Sequence, residues 1–308
     1  MARHSSQFVV LAALVGNGLI AVAKYAAAWL TGSSAMLSEA IHSTVDSGNE
    51  ILLMVGLARA KRPPDDVHPF GYGMEVYFWT FMVAVLIFGV GAGVSILEGI
   101  DKVRHPHPID HVLVSFAVLG VAFVLDGISW VIALRRLQSE SDKHGILETA
   151  QRSKDPTVFA VLAEDTAALI GLAIAALGIG LGVALDLPAL DGVASIAIGV
   201  VLAATAILLA RECLSLLTGE AALPELRRSV RRIAMSEPGV LGISEFATLQ
   251  FGPQSVIVML SLEFADSFAA DDVERAVAAI EGRIKEAHPD VARVFIEAQA
   301  REKVDGTA

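Results

Sequence analysis

The 308-residue chain has a single cysteine, Cys213, so no disulfide framework and no multi-thiolate metal site can form within it. Charge is sparse: Asp, Glu, Lys and Arg make up 19% of the residues, against roughly 25% in an ordinary soluble domain. Positive charge is scarcer still. The 23 Lys and Arg stand against 34 Asp and Glu, a net charge of −11, and such a chain does not suit nucleic acid as a partner. Internal repeats and low-complexity tracts are absent. Hydrophobic residues reach 54% and the mean hydropathy is +0.61, which excludes intrinsic disorder and does not fit a cytosolic enzyme.

What the chain has in quantity is long apolar runs. A bilayer core needs roughly 20 mostly apolar residues per helix, and six runs meet that need, at about 8–30, 35–58, 76–97, 112–134, 157–185 and 192–217. The first lacks a small-residue cleavage site after it and reads as a mature span, not a signal peptide. The fifth opens on Asp155-Pro156, a cap residue followed by proline at the first helical position. Six spans put both termini on one side. Arg59, Lys61 and Arg62 follow the second run, and Arg135, Arg136, Lys143, Arg152 and Lys154 follow the fourth. The opposite loops hold only Lys102 and Arg104. The positive-inside rule then expects both termini in the cytoplasm.

After Leu217 the composition changes. A proline-initiated helix carries Arg227, Arg228, Arg231 and Arg232. Residues 239–250 and 255–264 alternate like strands around a Gly252-Pro253 turn, 271–286 reads as a helix and 291–297 as a last strand. The expected architecture is an α-helical membrane protein: six transmembrane helices over 1–218, a small cytoplasmic α+β domain of order α-β-β-α-β (ferredoxin-like) over 219–300, and a flexible tail over 301–308.

The second run carries Glu39, His42, Asp46, Asn49 and Glu50, and the fifth carries Glu164 and Asp165. Ionisable groups inside a span cost about 2.5–3.5 kcal/mol each on insertion scales, and by default they face the bundle interior along an ion path. His42 and Asp46 are four apart, hence on one helical face. A histidine nitrogen and a carboxylate oxygen are half of a tetrahedral Zn²⁺ shell. With Glu164 and Asp165 they supply the donors for one metal site between two helices. Those two neighbours cannot point the same way, because adjacent helical residues lie about 100° apart. Asn49 and Glu50 divide evenly between the same path and helix packing. Asn17, Lys24, Asp126 and Asp191 read as structural polar contacts, His105, His107 and His111 as a solvated loop, and Cys213 as a small core residue.

Three sequence blocks resemble the cation diffusion facilitator family of metal-ion/proton antiporters. One runs from Asn17 through Lys24 to Thr31-Gly-Ser-Ser34. A second, Ser38-Glu-Ala-Ile-His42-Ser-Thr-Val-Asp46, contains His-x-x-x-Asp. The third, Asp65-Asp-Val-His68-Pro-Phe-Gly-Tyr72-Gly-Met-Glu75, is similar to the family's Asp-x-x-His-Pro-Phe-Gly-x-Gly-x-x-Glu with the Glu one position early. The span count and the C-terminal domain also match. The fifth span departs from the usual His-x-x-x-Asp: Asp165 falls at the first ligand position and Leu169 at the second, as in a divergent zinc-transporter branch.

The resemblance implies a metal site of His42, Asp46 and Asp165, with Glu164 or water as fourth ligand, and efflux of Zn²⁺ as transported substrate, with Mn²⁺, Co²⁺ or Fe²⁺ as alternatives. It implies protons as counter-ion, a homodimer in the lipid bilayer, no organic cofactor and no enzymatic activity. Tyr72 stands where some relatives have a histidine of a peripheral metal site, Met74 where a dimer-bridging lysine is expected, and His288 is the lone histidine of the C-terminal domain. The expected location is a bacterial inner (plasma) membrane. Two other readings stay open: a degenerate member acting as a metal-binding or regulatory scaffold, and an intramembrane metal hydrolase. The hydrolase is disfavoured because neither His-Glu-x-x-His nor Gly-x-Ser-x-Gly occurs.

Overall fold

A computed structural model describes residues 2–139, 154 and 156–299. Among the described residues, seven helices and a π-helical stretch occupy the membrane part: α1 (Ala2–Thr31), α2 (Ser34–Ala60), α3 (Glu75–Leu86), the π stretch Ile87–Ala92, α4 (Gly93–Arg104), α5 (Val112–Ser139), α6 (Pro156–Ala184) and α7 (Ala189–Leu217). The small C-terminal unit follows as α8 (Pro224–Met235), β1 (Val240–Gly252), β2 (Ser255–Phe264), α9 (Ala270–Ala287) and β3 (Val291–Gln299). Every predicted apolar run is helical, and the α-β-β-α-β order is the one the sequence suggests. The protein is a helical membrane protein with a C-terminal α+β domain.

Among the described residues, four helical segments are long and apolar enough to cross a bilayer: Glu75–Arg104, Val112–Arg135, Phe159–Ala184 and Ala189–Leu217. The long helix α2 carries too many polar residues to join them, and it turns Glu39, His42 and Asn49 inward. Tryptophan and aliphatic side chains such as Trp29, Leu113, Ile132 and Leu177 lie on the outside, where acyl chains solvate them, while Leu172, Ile179, Ile198, Leu202 and Leu209 fill the interior together with Cys213.

The third span differs from the expectation. The helix does not stop near Leu97 but runs on to Arg104 through the π stretch, so Lys102 and Arg104 are helical and not part of a loop. Lys102 Nζ is buried and donates to the Gly32 carbonyl at 2.7 Å. Close helix packing explains the placement: a Cβ on Gly99 would stand 2.6 Å from the Gly192 carbonyl oxygen, so α4 and α7 touch backbone to backbone. The α1–α2 turn needs Gly32 at φ +65°. Ser33 then caps α2, accepting from the Met36 N–H. The Asp191 carboxylate at the start of α7 accepts from Ser33 Oγ (2.6 Å) and from the backbone N–H of Ser34 (2.7 Å) and Ala35 (3.3 Å), which satisfies donors that every helix start leaves free. Lys143, Arg152, Asp155 and the tail 301–308 lie outside the described residues.

In the C-terminal unit β1 and β2 form an antiparallel hairpin and β3 pairs parallel to β2. Val230 and Ala234 of α8 and Ile280 and Ile284 of α9 pack on Val258, Leu260 and Leu262 of the sheet. The hairpin tip meets the loop before α3. A Cβ on Gly73 would stand 2.6 Å from the Phe251 carbonyl oxygen, and the Phe70 ring lies 6.0 Å from Phe251 and 6.2 Å from Phe295. Lys154 adds an ion pair with Glu220, whose carbonyl accepts from the Gln250 N–H at 2.8 Å.

Candidate functional site

A cavity of about 110 Å³ lies between α1, α2, α5 and α6. Helix α2 contributes Asp46 and Glu50, α5 contributes Asp126 and Ser129, and α6 contributes Glu164 and Asp165. Five carboxylates therefore share one space among otherwise apolar helices. In the membrane such a concentration of like charge persists only with compensating partners.

The spacing of α2 sets its share of the wall. His42 and Asp46 fall on one face, with His42 Nδ1 3.4 Å from Asp46 Oδ1. His42 is 1% exposed, and neither of its ring nitrogens is hydrogen-bonded, nor is Asp46 Oδ1. One turn further on, Glu50 accepts from Asn17 Nδ2 of α1 at 2.6 Å. Behind this wall lies a fully buried ion pair: Lys24 Nζ stands 3.0 Å from Glu39 Oε2 and donates to Ser43 Oγ at 2.8 Å. Ser43 itself lines the cavity.

On α6 the adjacent acids diverge, as helical geometry requires. Glu164, 7% exposed, turns to α2 and accepts from Asn49 Nδ2 at 3.3 Å. Asp165 turns to α5 and accepts from Ser129 Oγ at 3.1 Å. The structure thus brings Asp46, Glu164 and Asp165 to one cavity and sets His42 behind Asp46. It does not draw the four into a single coordination shell: among the described residues no three His, Cys, Asp or Glu side chains stand close enough to hold a metal ion.

In the sequence Asp126 and Asn17 read as structural polar contacts, and Glu50 divides between the ion path and helix packing. All three line the cavity. Asn17 and Asp126 give a weak signal in sequence because each is a lone polar residue at its level of its own helix, and its companions arrive from other helices.

The loop between α2 and α3 is organised around Asp65. Its Oδ2 accepts from Tyr72 Oη at 2.6 Å, and its Oδ1 from the N–H groups of His68 (2.7 Å) and Val67 (3.0 Å). The Tyr72 hydroxyl, and next the His68 N–H, hold the Asp65 carboxyl below its ordinary pKa, and the same bond raises that of Tyr72. The His68 and Tyr72 rings lie 4.2 Å apart. Tyr72 therefore serves the internal structure of this loop.

Apolar helices closed around a carboxylate-lined cavity make the chain a membrane protein built to admit cations. Residues 10–218 match the family model described as the cation efflux transmembrane domain. The chain belongs to this family, the cation diffusion facilitators, which are transporters and not enzymes. It is similar to the Xenopus laevis protein named proton-coupled zinc antiporter SLC30A9, mitochondrial, with 31% identity over 258 residues, covering 83% of this chain and 46% of that protein. Metal tolerance protein C4 of Arabidopsis thaliana is 30% identical over 84% of this chain and 57% of its own length. The cation-efflux pump FieF of Escherichia fergusonii is 26% identical over 87% of this chain and 86% of its own. The chain spans less than half the length of the zinc antiporter it matches.

Proposed function

We propose that the protein moves a divalent metal cation, Zn²⁺ first among them, out of the cytoplasm in exchange for protons. The observation that carries this reading is the cavity where Asp46, Glu164 and Asp165 meet, with His42, buried and without a hydrogen bond, beside Asp46 at its back. His42, Asp46 and Asp165 are the metal-binding residues in this reading, and Glu164 completes the set as the helices close. Imidazole and carboxylate donors suit Zn²⁺, and they also admit Mn²⁺, Co²⁺ and Fe²⁺. Metal binding requires neutral histidine and ionised carboxylates, so metal and protons compete for the same groups. That competition is sufficient to couple outward metal movement to inward proton movement as the helices rock between two open states.

In this reading both termini lie in the cytoplasm, as the basic loop residues favour, with six spans within 1–218 and the α+β domain of 219–300 beneath them as the contact of a homodimer. A bacterial inner membrane is the proposed setting. The names of the similar proteins, a proton-coupled zinc antiporter and a cation-efflux pump, support the exchange of metal for protons. The test is Zn²⁺ uptake into proteoliposomes bearing His42→Ala. Transport is expected to vanish while the variant elutes from a sizing column like the wild type. Full transport by this variant overturns the assignment of His42.

A further inference from the structure

We propose that the arginine face of α8 binds the phosphate headgroups of anionic lipids in the membrane that holds the helices, an inference that stands apart from which ion the cavity carries. The chain has a net charge of −11, yet four of its 23 Lys and Arg fall within residues 227–232: Arg227, Arg228, Arg231 and Arg232. Helical periodicity sends Val230 and Ala234 into the core of the α+β domain and leaves all four arginines exposed.

Local rules oppose this arrangement. Arg227 and Arg231, like Arg228 and Arg232, are equal charges four residues apart, and such pairs repel on a helix surface. Arg227 also closes the first turn of α8, the end of a helix that favours anions. Elsewhere in the domain Arg275, Arg283 and Lys285 meet the carboxylates of Asp272, Glu237 and Glu281. On α8, Arg228 reaches Glu225, but among the described residues Arg227, Arg231 and Arg232 have no acidic partner. Arg227 and Arg231 instead share one face of Phe246, with Cζ atoms 5.8 and 5.9 Å from the ring centroid. The ring steadies the two guanidinium groups side by side and leaves their charge uncompensated. Guanidinium forks held this way fit the oxygens of a phosphate.

The position of α8 indicates the source of that phosphate. The membrane-crossing helix α7 ends at Leu217, and α8 starts at Pro224. Between them the Glu220 carbonyl accepts from the Gln250 N–H at 2.8 Å, and the Ala222 N–H donates to Thr248 Oγ1 at 3.1 Å. Helix α8 therefore begins beside the β1–β2 tip. That tip touches the loop before α3: a Cβ on Gly252 would stand 3.1 Å from Gly73 Cα, just ahead of the span that opens at Glu75. The start of α8 is thus at the end of the domain nearest the bilayer, and Arg232 lies about 12 Å along the helix axis from Pro224. That distance is close to the ~8–10 Å over which salt screens a charged surface. Arginine clusters directly beyond a membrane helix are drawn to anionic headgroups.

The experiment is arginine modification by phenylglyoxal, an uncharged reagent, read residue by residue by mass spectrometry on the full-length protein in nanodiscs. One set of discs is phosphatidylcholine, and the other is phosphatidylcholine mixed with phosphatidylglycerol. Arg227, Arg231 and Arg232 are expected to react about 5-fold more slowly in the mixed discs, and high salt is expected to abolish the difference. Arg275, paired with Asp272, is expected to react alike in both. Equal rates for the three arginines in the two discs overturn the proposal. So does protection in phosphatidylcholine discs that phosphatidylglycerol does not increase, which assigns the face to a second copy of the chain. Equal protection by inorganic phosphate added to phosphatidylcholine discs also overturns it and assigns the face to a free anion. In the variant Arg227→Gln/Arg231→Gln/Arg232→Gln, less phosphatidylglycerol is expected to stay with the protein through purification from mixed bilayers, and unchanged retention contradicts the proposal.

Discussion

Replacing Lys24 with methionine removes one partner of the ion pair behind the cavity. Lys24 and Glu39 side chains are both 0% exposed, with Nζ 3.0 Å from Oε2. The other oxygen of Glu39, Oε1, has no hydrogen bond and lies against Gly171 of α6, where a Cβ would collide with it. Without Lys24 the Glu39 carboxylate keeps no hydrogen-bond partner among the described residues. Breaking a buried pair on one side costs about 3–5 kcal/mol, whereas replacing both partners by neutral groups of similar volume is often close to neutral. Lys24→Met alone is therefore expected to lower stability by about 3–5 kcal/mol, and Lys24→Met/Glu39→Gln to recover most of that loss. The assay is unfolding of the detergent-solubilised protein followed by intrinsic tryptophan fluorescence, arranged as a double-mutant cycle. Additive losses, with the double variant less stable than either single one, would refute the reasoning.

Two further outcomes follow from the loop before α3. In Gly73→Val the new Cβ would stand 2.6 Å from the Phe251 carbonyl oxygen, so the loop and the β1–β2 tip must separate; hydrogen exchange is expected to rise at residues 250–253 while the core of the sheet stays protected. Tyr72→Phe removes the largest cause of the lowered Asp65 pKa. A carboxylate with a depressed folded pKa stabilises the loop above its unfolded value, and that contribution is lost as pH falls through the folded pKa. Carbon NMR of labelled aspartate is accordingly expected to show Asp65 titrating at higher pH in Tyr72→Phe than in wild type, and an unchanged titration would contradict the hydrogen-bond assignment.

The parts of this molecule that were legible in the sequence are those written within one helix or strand. The apolar runs gave the helices because sharp breaks separate them, such as Thr31-Gly-Ser-Ser34 and Asp186 to Pro188. His42 and Asp46 were legible as a pair because four-residue spacing puts them on one face before any tertiary contact exists. The divergence of Glu164 and Asp165 followed from the helical angle alone, but which neighbour each meets did not, since Asn49 and Ser129 come from different helices. Asp126 reads as a structural polar contact for the same reason. The π stretch at Ile87–Ala92 was not legible either: Ile-Phe-Gly-Val-Gly-Ala has the apolar composition of any span, and the wider turn arises where α3 and α4 settle against α7. Asp191 reads as a polar contact in sequence, and its role as a cap for α2 depends on residues more than 150 positions away.

The central claim is that metal and protons use one acidic cavity in turn. Its most direct test is proteoliposome flux followed with internal Zn²⁺ and pH dyes at once, for wild type and Asp46→Ala. The account predicts Zn²⁺ movement accompanied by protons in the opposite direction, with both lost together in Asp46→Ala. Zn²⁺ movement without a proton signal, or flux that persists in Asp46→Ala, would contradict it.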